Sequence, residues 1–309
     1  FDKSVLIEGK KYDNPPTNHI IEIKCDEKIR CDEINKERIE VFFNILGQNK
    51  LKSSNLENIY KLEKPNLKKS KNNQSDLSKL PFISVDNTNK IITFTDKILN
   101  IDNTIVIPEN FTVNFLPGTE IIFSDKGHII SYSNLNINGT KDNPIIFRSN
   151  FNGTKDDNEE YGYGILVINT NKISIINNCI FKYMNHPDVN LGYGLMGPIN
   201  FYNSDVIIKN SEFLDNLSGD DYLNIINSNF DISNVKITNS KFDSIDIDFS
   251  KGIMEKVYVL NAGNDGIDFS GSDVKLKDIF INTVGDKGLS VGEKSRILVE
   301  NLKIKNASI

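Results

Sequence analysis

The sequence lacks several residue types, and each shortage excludes or disfavours a class of protein. It has no Trp and only two Ala, at Ala262 and Ala307, among 309 residues. Because Ala is the strongest helix former, this composition argues against a mainly helical domain. Hydrophobic residues still make up 38% of the chain, which is enough to bury a core and argues against intrinsic disorder.

Positive charge, cysteine and long apolar runs are also scarce. The chain has four Arg, a net charge of −6 and no basic cluster, which disfavours nucleic acid as a partner. No apolar run approaches the roughly 18–20 residues of a membrane span, so we expect no span. Cys25 and Cys31 fit either a disulfide or two free thiols. Because the chain begins with Phe and shows no signal peptide, we expect a processed form without its upstream targeting segment.

Two residue types are abundant instead: 45 Ile and 43 Asn. An A+T-rich genome would account for part of this excess. From about residue 81, short runs rich in β-branched residues recur between Asn, Gly, Asp and Ser, which is typical of strands and turns. We therefore divide the chain into a mixed N-terminal segment (1–50), a polar linker or loop (51–80) and a region of repeated strands (81–309).

A repeat organises this third region. The segments 221–224, 243–246 and 265–268 align at two steps of 22 residues, and each begins with Asp. Another copy follows after 22 residues at 287–290, and an earlier copy precedes by 24 residues at 197–200. The Ser and apolar residues that follow each segment keep nearly the same steps. A period of 22–24 residues without helices predicts a β-solenoid, in which each repeat is one rung and stacking closes the core.

The repeated region resembles the right-handed parallel β-helix superfamily, which has the pectate-lyase-like fold. The stretches 105–123 and 135–147 resemble its first coils. The stretches NDGIDFSGS (264–272) and GDKGLSVGEKS (285–295) resemble bacterial secreted β-helix proteins, some of which carry a CotH-like domain elsewhere. The resemblance implies an all-β, right-handed parallel β-helix of about eight coils with a small irregular N-terminal segment. It also implies secretion or a cell-surface location, but no particular activity.

Residues one repeat apart stack in columns, with about 4.8 Å between rungs. The predicted inward column is apolar and contains Ile199, Leu223, Ile245, Ile267 and Leu289. Because side chains alternate along a strand, the next residue of each rung faces outward: Asn200, Asn224, Asp246, Asp268 and Ser290. A second column lies two residues before the apolar one and runs beside the outward column; it contains Gly197, Asp221, Asp243, Asp265 and Lys287.

Stacked carboxylates repel one another by about 1 kcal/mol in water and by more in a groove, so their charge must be offset. Three explanations remain open. Ca²⁺ could bridge the carboxylates, with Asp246 and Asp268 as the candidate ligands. One carboxyl group could keep its proton and act as the acid in glycoside hydrolysis. Alternatively, the Asp side chains could cap turn N–H groups, which would be a purely structural role.

Two insertions, residues 152–164 and 183–197, leave the solenoid at the turn where the acidic columns stack. Insertions of this kind often line a binding face, although Tyr and Gly could also serve only to order the loops. Tyr rings beside carboxylates suit a sugar chain. The candidate substrate-binding residues are Tyr161, Tyr163, Tyr193, Asp188, Asp221 and Asn224. The candidate catalytic residues are Asp243, Asp246, Asp265 and Asp268, with Lys287 as a base and His186 as a nearby loop histidine.

We therefore expect a secreted or surface β-helix that binds a polysaccharide or cell-surface glycan on an acidic, Tyr-rimmed face, with Ca²⁺ as a candidate cofactor. One alternative is a glycan-active hydrolase, lyase or epimerase on the same face. A second alternative is a structural stalk or adhesin segment. Residues 301–309 read as a strand with an open edge, so we expect the repeat region to be truncated there and further coils or a partner to cover that end.

Overall fold

The structure, a computed structural model, describes residues 5–8, 40–44, 51–55, 77–153, 161–186 and 196–308. The chain forms two compact units: Tyr12–Asn72 is the smaller, and Phe1–Lys11 together with Asn73–Ile309 is the larger. In the smaller unit, β2 (Glu40–Asn44) and β3 (Leu51–Asn55) pair as an antiparallel sheet. The Cys25–Cys31 pair lies outside the described residues, and the boundaries at residues 50 and 80 stay predictions.

The larger unit is an all-β, parallel solenoid of about nine turns, which confirms the predicted fold class with one turn more than expected. Its early strands are short: β1 (Val5–Glu8), β4 (Ile83–Asp86), β5 (Ile91–Phe94), β6 (Ile98–Ile101), β7 (Thr104–Ile107), β8 (Thr112–Phe115), β9 (Glu120–Phe123), β10 (His128–Ser131), β11 (Asn134–Asn138), β12 (Ile145–Ser149), β13 (Ile165–Ile168), β14 (Ser174–Asn177), β15 (Cys179–Lys182) and β16 (Ile199–Tyr202).

The later rungs contain longer strands. These are β17 (Val206–Leu214), β18 (Asp221–Ile226), β19 (Asn229–Ser240), β20 (Asp243–Asp248), β21 (Lys251–Ala262), β22 (Ile267–Ser270), β23 (Asp273–Val284), β24 (Leu289–Gly292) and β25 (Arg296–Lys305). Among the described residues there is no α-helix, and the one short helix is a 3₁₀ turn at Leu77–Lys79. None of the described segments is a helix long and apolar enough to cross a membrane.

One face of the solenoid is an eight-stranded sheet in the order β24-β22-β20-β18-β16-β13-β10-β7. Its strands pair in parallel with the predicted register, because Ile199 lies opposite Leu223, Leu223 opposite Ile245 and Ile245 opposite Ile267. The other faces belong to a fifteen-stranded sheet, whose main path runs β1-β25-β23-β21-β19-β17-β14-β11-β8-β5-β4.

The corners between faces explain the excess of Asn. At many corners the residue has a positive φ, a backbone region that Asn tolerates better than most residues. Asn239 has φ 57° and Asn261 has φ 62°. Their side chains form a ladder, because the Asn261 Nδ2 donates to Asn239 Oδ1 at 2.7 Å and the Asn239 Nδ2 donates to Asp215 Oδ1 at 2.6 Å. Asn therefore satisfies both the backbone and the neighbouring rung.

A second ladder of buried serines accounts for the Ser residues in the repeat. The backbone N–H of Ser228 donates to Ser250 Oγ, and the N–H of Ser250 donates to Ser272 Oγ, both at 3.0 Å. The Ser250 Oγ in turn donates to the carbonyl of Asp248 at 2.7 Å. Each hydroxyl thus satisfies a buried corner N–H group that has no strand partner.

Ile and Phe fill the interior. The inward Ile residues of successive rungs are fully buried, and burial of each such side chain contributes about 1.5–3 kcal/mol. A column of Phe rings crosses the first half of the solenoid, with neighbouring ring centroids 4.5–5.3 Å apart: Phe94, Phe115, Phe147, Phe181 and Phe213. The outward acidic face is therefore supported by a continuous core.

The last rung is partly covered by the start of the same chain. Strand β1 pairs antiparallel with β25, with Val5 opposite Val299 and Glu8 opposite Arg296. Within the described residues, the remainder of β25, from Glu300 to Lys305, has no strand on its outer side. The expectation that further coils or a partner cover this end stays a prediction for that remainder.

Candidate functional site

One acidic column lies on the outer surface of the eight-stranded sheet, and the other runs beside it where the strands begin, as the repeat predicted. In the first column Asp221 lies opposite Asp243. In the second, Asn224 lies opposite Asp246, which lies opposite Asp268. We call the surface formed by Asp221, Asn224, Asp243, Asp246, Asp265 and Asp268 the acidic face.

Asp243 and Asp265 have a structural role. The Asp243 Oδ1 accepts the backbone N–H of Asp265 at 2.7 Å and the Asn264 side-chain amide at 2.7 Å. The Asp265 Oδ1 accepts the backbone N–H of Lys287 at 2.8 Å. Each carboxylate therefore joins its rung to the next. These two residues cap turn N–H groups, as one of the three explanations proposed, but the capped N–H belongs to the following rung.

Asp246 and Asp268 do not share that role. The Asp246 Oδ2 accepts a hydrogen bond from the Asn224 side-chain amide at 2.9 Å. Within the described part of the chain, the Asp268 carboxylate has no hydrogen-bond donor, and it remains partly exposed. Turn chemistry thus explains only part of the acidic face and leaves these two carboxyl groups available for a ligand.

Two acceptor oxygens of the acidic face are buried without a hydrogen-bond partner. Asp221 is 3% exposed and Asn224 is 0% exposed. The Asp221 Oδ2 and the Asn224 Oδ1 accept no hydrogen bond from the residues that the structure describes. A buried polar atom without a partner costs about 1–3 kcal/mol, so such atoms are rare and point to a ligand or a functional role.

The protonation of the acidic face follows from burial and crowding. Burial raises the pKa of Asp243 to about 6, against the opposing effect of its hydrogen bonds. Burial, and then repulsion by neighbouring carboxylates, raises the pKa of Asp221, Asp246 and Asp248 well above the ordinary value of 3.8. At neutral pH these groups must either keep protons or acquire a compensating cation.

Oxygen atoms of Asp243, Asp265 and Asp268 all lie within 4.8 Å of one another. At that separation two unit charges repel by about 1 kcal/mol in water and about 3–4 kcal/mol at an effective dielectric constant of 20. The group does not include Asp246, which was predicted as a metal ligand together with Asp268. The structure therefore brings together a three-carboxylate cluster on two consecutive rungs.

Lys287 closes one end of the first column. Its ammonium group lies 2.5 Å from Asp286 Oδ2 and 3.7 Å from Asp265 Oδ2. The hydrogen bond with Asp286 is the main reason that the pKa of Lys287 is raised. A lysine with a raised pKa stays charged, so Lys287 acts here as a counter-ion, and its candidate role as a base stays a prediction.

The structure supports only in part the prediction that Tyr residues of the two insertions line the acidic face. Tyr161 is 7% exposed and packs edge-on against Phe151 at 5.3 Å, so its ring is not open to a sugar. Tyr163 is half-buried and packs edge-on against His128 at 6.2 Å. Its neighbour His128 is buried, which lowers the pKa of that histidine to about 3. Tyr193 and Asp188 lie outside the described residues.

His186 lies near the acidic face. Its backbone N–H donates to Ser218 Oγ at 2.9 Å, and Gly219, two residues before Asp221, approaches it closely. A methyl group placed on Gly219 would lie 3.1 Å from the His186 Cβ. The structure therefore brings His186 to the rim, while its candidate catalytic role stays a prediction.

Sequence reasoning missed two residues of this region. Phe242 is 45% exposed and directly precedes Asp243, at a turn position occupied in other rungs by Asp220, Asn264 and Asp286. Asp248 faces outward at the end of β20 and interacts electrostatically with Asp246. Phe242 can be identified as an apolar residue in an otherwise polar column. Asp248 can be identified from the alternation of Asp and Ile in 243–248.

The acidic face is confined to the later rungs. The same outward column that contains Asn224 and Asp246 includes, on earlier rungs, Ile130 and Leu166, both of which are buried. The change from apolar to acidic side chains takes place within one sheet. If the solenoid fold itself required acidic residues in this column, they would occur on every rung. They occur only on the later rungs of the described sheet, so the fold does not require them.

No protein-family model matches the sequence, and no curated protein matches it either. The parallel pairing of strands from rung to rung supports the parallel β-helix architecture by itself. The narrower resemblances to pectate-lyase-like proteins and to proteins with CotH-like domains gain no support from these comparisons.

Proposed function

We propose that the chain is a secreted or surface β-solenoid that binds a polysaccharide along its acidic face. The observation that carries the proposal is the outward pair Asp246 and Asp268, one rung apart, neither of which caps a backbone group of the described residues. A carboxylate has two acceptor oxygens and can bind the paired hydroxyls of a sugar ring. The regular spacing of rungs suits a polymer better than a small molecule.

Phe242 adds an apolar contact at the edge of the acidic face. It is 45% exposed and belongs to the turn that begins strand β20. An exposed aromatic ring beside hydrogen-bonding groups can stack on the C–H face of a sugar. Since the sequence has no Trp and Tyr161 is buried, Phe242 is the best-placed ring on the described part of this face.

The charge of the face restricts the ligand. Several carboxylates within about 5 Å of one another repel an anionic polymer in the absence of a bridging cation. We therefore expect neutral polysaccharides or polymers of amino sugars to bind without added metal. Uronate polymers would bind only in the presence of a divalent cation.

Affinity electrophoresis against a neutral glucan, a xylan, chitosan and polygalacturonate tests the proposal. We expect at least one polymer to retard the protein, and Phe242→Ala to weaken that binding about tenfold, as expected when an aromatic anchor is removed. Tyr258→Ala is the matched control, because Tyr258 is also exposed, at 42%, but belongs to the other sheet. Binding by no polymer, or equal losses in the two variants, would exclude this site.

An enzyme on the same face is a second candidate, favoured by one observation. Burial and neighbouring carboxylates raise the pKa of Asp246, which leaves this group protonated at neutral pH. A protonated carboxyl group beside other carboxylates is the arrangement that general-acid cleavage of glycosides requires. Assays for new reducing ends and for unsaturated uronate on each bound polymer decide the question, with Asp246→Asn as the inactive variant. A product that persists in Asp246→Asn would exclude this assignment.

A further inference from the structure

Three carboxylates from two consecutive rungs form a compact oxygen cluster. Asp243 comes from the start of β20, whereas Asp265 and Asp268 flank the start of β22. Their nearest oxygen atoms lie within 4.8 Å of one another. Two oxygens on opposite sides of a Ca²⁺ ion, at 2.3–2.6 Å each, are about 4.6–5.2 Å apart. The cluster thus fits within the span of a Ca²⁺ coordination shell.

The hydrogen bonds of the cluster favour Ca²⁺ over Mg²⁺. One oxygen each of Asp243 and Asp265 is held by a backbone N–H of the next rung, so these side chains cannot rotate freely. Mg²⁺ demands near-ideal octahedral geometry with ligands at about 2.1 Å, whereas Ca²⁺ accepts irregular shells of six to eight oxygens. A rigid, irregular cluster is therefore a better site for Ca²⁺.

A second, independent observation points to a ligand here. Asp221 stacks directly before Asp243, is 3% exposed, and has an Oδ2 atom that accepts no hydrogen bond within the described chain. The Asp243 carboxyl group is its strongest electrostatic neighbour, so Asp221 adjoins the cluster on the side of Asp243. The neighbouring Asn224 Oδ1 is likewise buried and without a partner. A bound cation would offset the charge around these oxygens.

Among the residues that the structure describes, a cationic side chain lies at one end of this column. The Lys287 ammonium group lies 3.7 Å from Asp265 Oδ2. Among the described residues, no Lys or Arg forms an ion pair with Asp243 or Asp268. Lys287 therefore offsets part of the charge of Asp265 and leaves Asp243 and Asp268 to another cation.

We propose that Asp243, Asp265 and Asp268 bind a Ca²⁺ ion on the outer surface of the eight-stranded sheet, with the Asp221 carboxyl group one rung before Asp243. Asp268 is the ligand without a structural hydrogen bond in the described chain, so its second oxygen and its exposed side are open to water or to a ligand. The site joins two rungs and does not depend on the binding of a polysaccharide.

Isothermal titration of the full chain with CaCl₂, after treatment with EDTA, tests the site without any polysaccharide. We expect one site in the wild type, with Asp268→Asn weakening the affinity at least about tenfold, because affinity follows the number of charged ligands. The control is Asp273→Asn, an exposed aspartate on β23 of the other sheet, which should bind Ca²⁺ like the wild type. MgCl₂ should bind at least about tenfold more weakly than CaCl₂.

A melting curve recorded with and without millimolar Ca²⁺ gives a second readout, since a ligand of the native state raises the melting temperature. Should Asp268→Asn not fold, Asp268→Ser replaces it, because Ser290 already occupies this column one rung later. The proposal is overturned if the wild type shows neither heat of binding nor a thermal shift with Ca²⁺. Unchanged affinity in the Asp268 variant, or equal affinity for Mg²⁺, would overturn it as well. Failure of polysaccharide binding leaves this test unaffected.

Discussion

Replacing Asp246 by Asn should stabilise the metal-free protein at neutral pH. In the folded state Asp246 keeps its proton because burial and neighbouring carboxylates raise its pKa above the ordinary value of 3.8. In the unfolded chain the same group is ionised at neutral pH. Between 3.8 and the raised pKa, the folded state therefore binds more protons than the unfolded state. Stability falls as pH rises through this window, and the penalty disappears below pH 3.8.

The magnitude follows from the width of the window. One protonated carboxyl group costs about 1.4 kcal/mol for each pH unit above 3.8, which sets an upper limit of about 4 kcal/mol at pH 7. Asp246 remains partly exposed, so solvent reduces the penalty and we expect about 1–3 kcal/mol. Asn keeps the shape and an acceptor for the Asn224 amide, which now lies 2.9 Å from the Asp246 Oδ2. The gain in the free energy of unfolding should therefore be present at about pH 7–8 and absent near about pH 4, where both states bind the proton.

Urea unfolding in EDTA, at several pH values between about 4 and 8, measures this difference in the free energy of unfolding. The control is Asp273→Asn, whose side chain is exposed on the other sheet; its stability should follow the wild type at every pH. A loss of stability in Asp246→Asn at all pH values would refute the reasoning. So would a pH profile parallel to that of the wild type.

Two further predictions concern the ladders of the fold, each measured by urea unfolding. Ser250→Ala leaves the N–H of Ser228 without a partner and should cost about 1–3 kcal/mol, whereas the outward Ser233→Ala should be nearly neutral; equal effects would contradict the ladder. Asn239→Ala should cost about 1–2 kcal/mol more than Asn239→Gly, because φ at this residue is 57°. Equal costs in these two variants would contradict a role for its backbone conformation.

The period of 22 residues was sufficient to predict the register of the sheet. Once Asp221, Asp243 and Asp265 were aligned, the inward Ile column and the outward column of Asn224, Asp246 and Asp268 followed from the alternation of side chains along a strand. The pairing of β18, β20 and β22 confirms that alignment. Because every rung stacks on the next in the same way, the stacking appears in the sequence as a fixed period.

Features that break the repeat could not be predicted in this way. The antiparallel pairing of β1 with β25 joins residues almost 300 positions apart, and no periodic signal relates them. The burial of Asp221 and Tyr161 depends on what packs over each side chain, which the strand pattern does not contain. The selection of Asp243 with Asp265 and Asp268, in place of Asp246, depends on side-chain rotamers.

The central claim, that the acidic face binds a ligand, is tested most directly by the polysaccharide affinity of the double variant Asp246→Asn, Asp268→Asn. Neither carboxyl group caps a backbone N–H in the described chain, so the variant should fold with at least the stability of the wild type. We predict that its dissociation constant for the bound polymer rises at least about tenfold, as for the loss of central hydrogen-bonding groups. An unchanged dissociation constant would contradict the claim and leave the acidic columns as part of the fold alone.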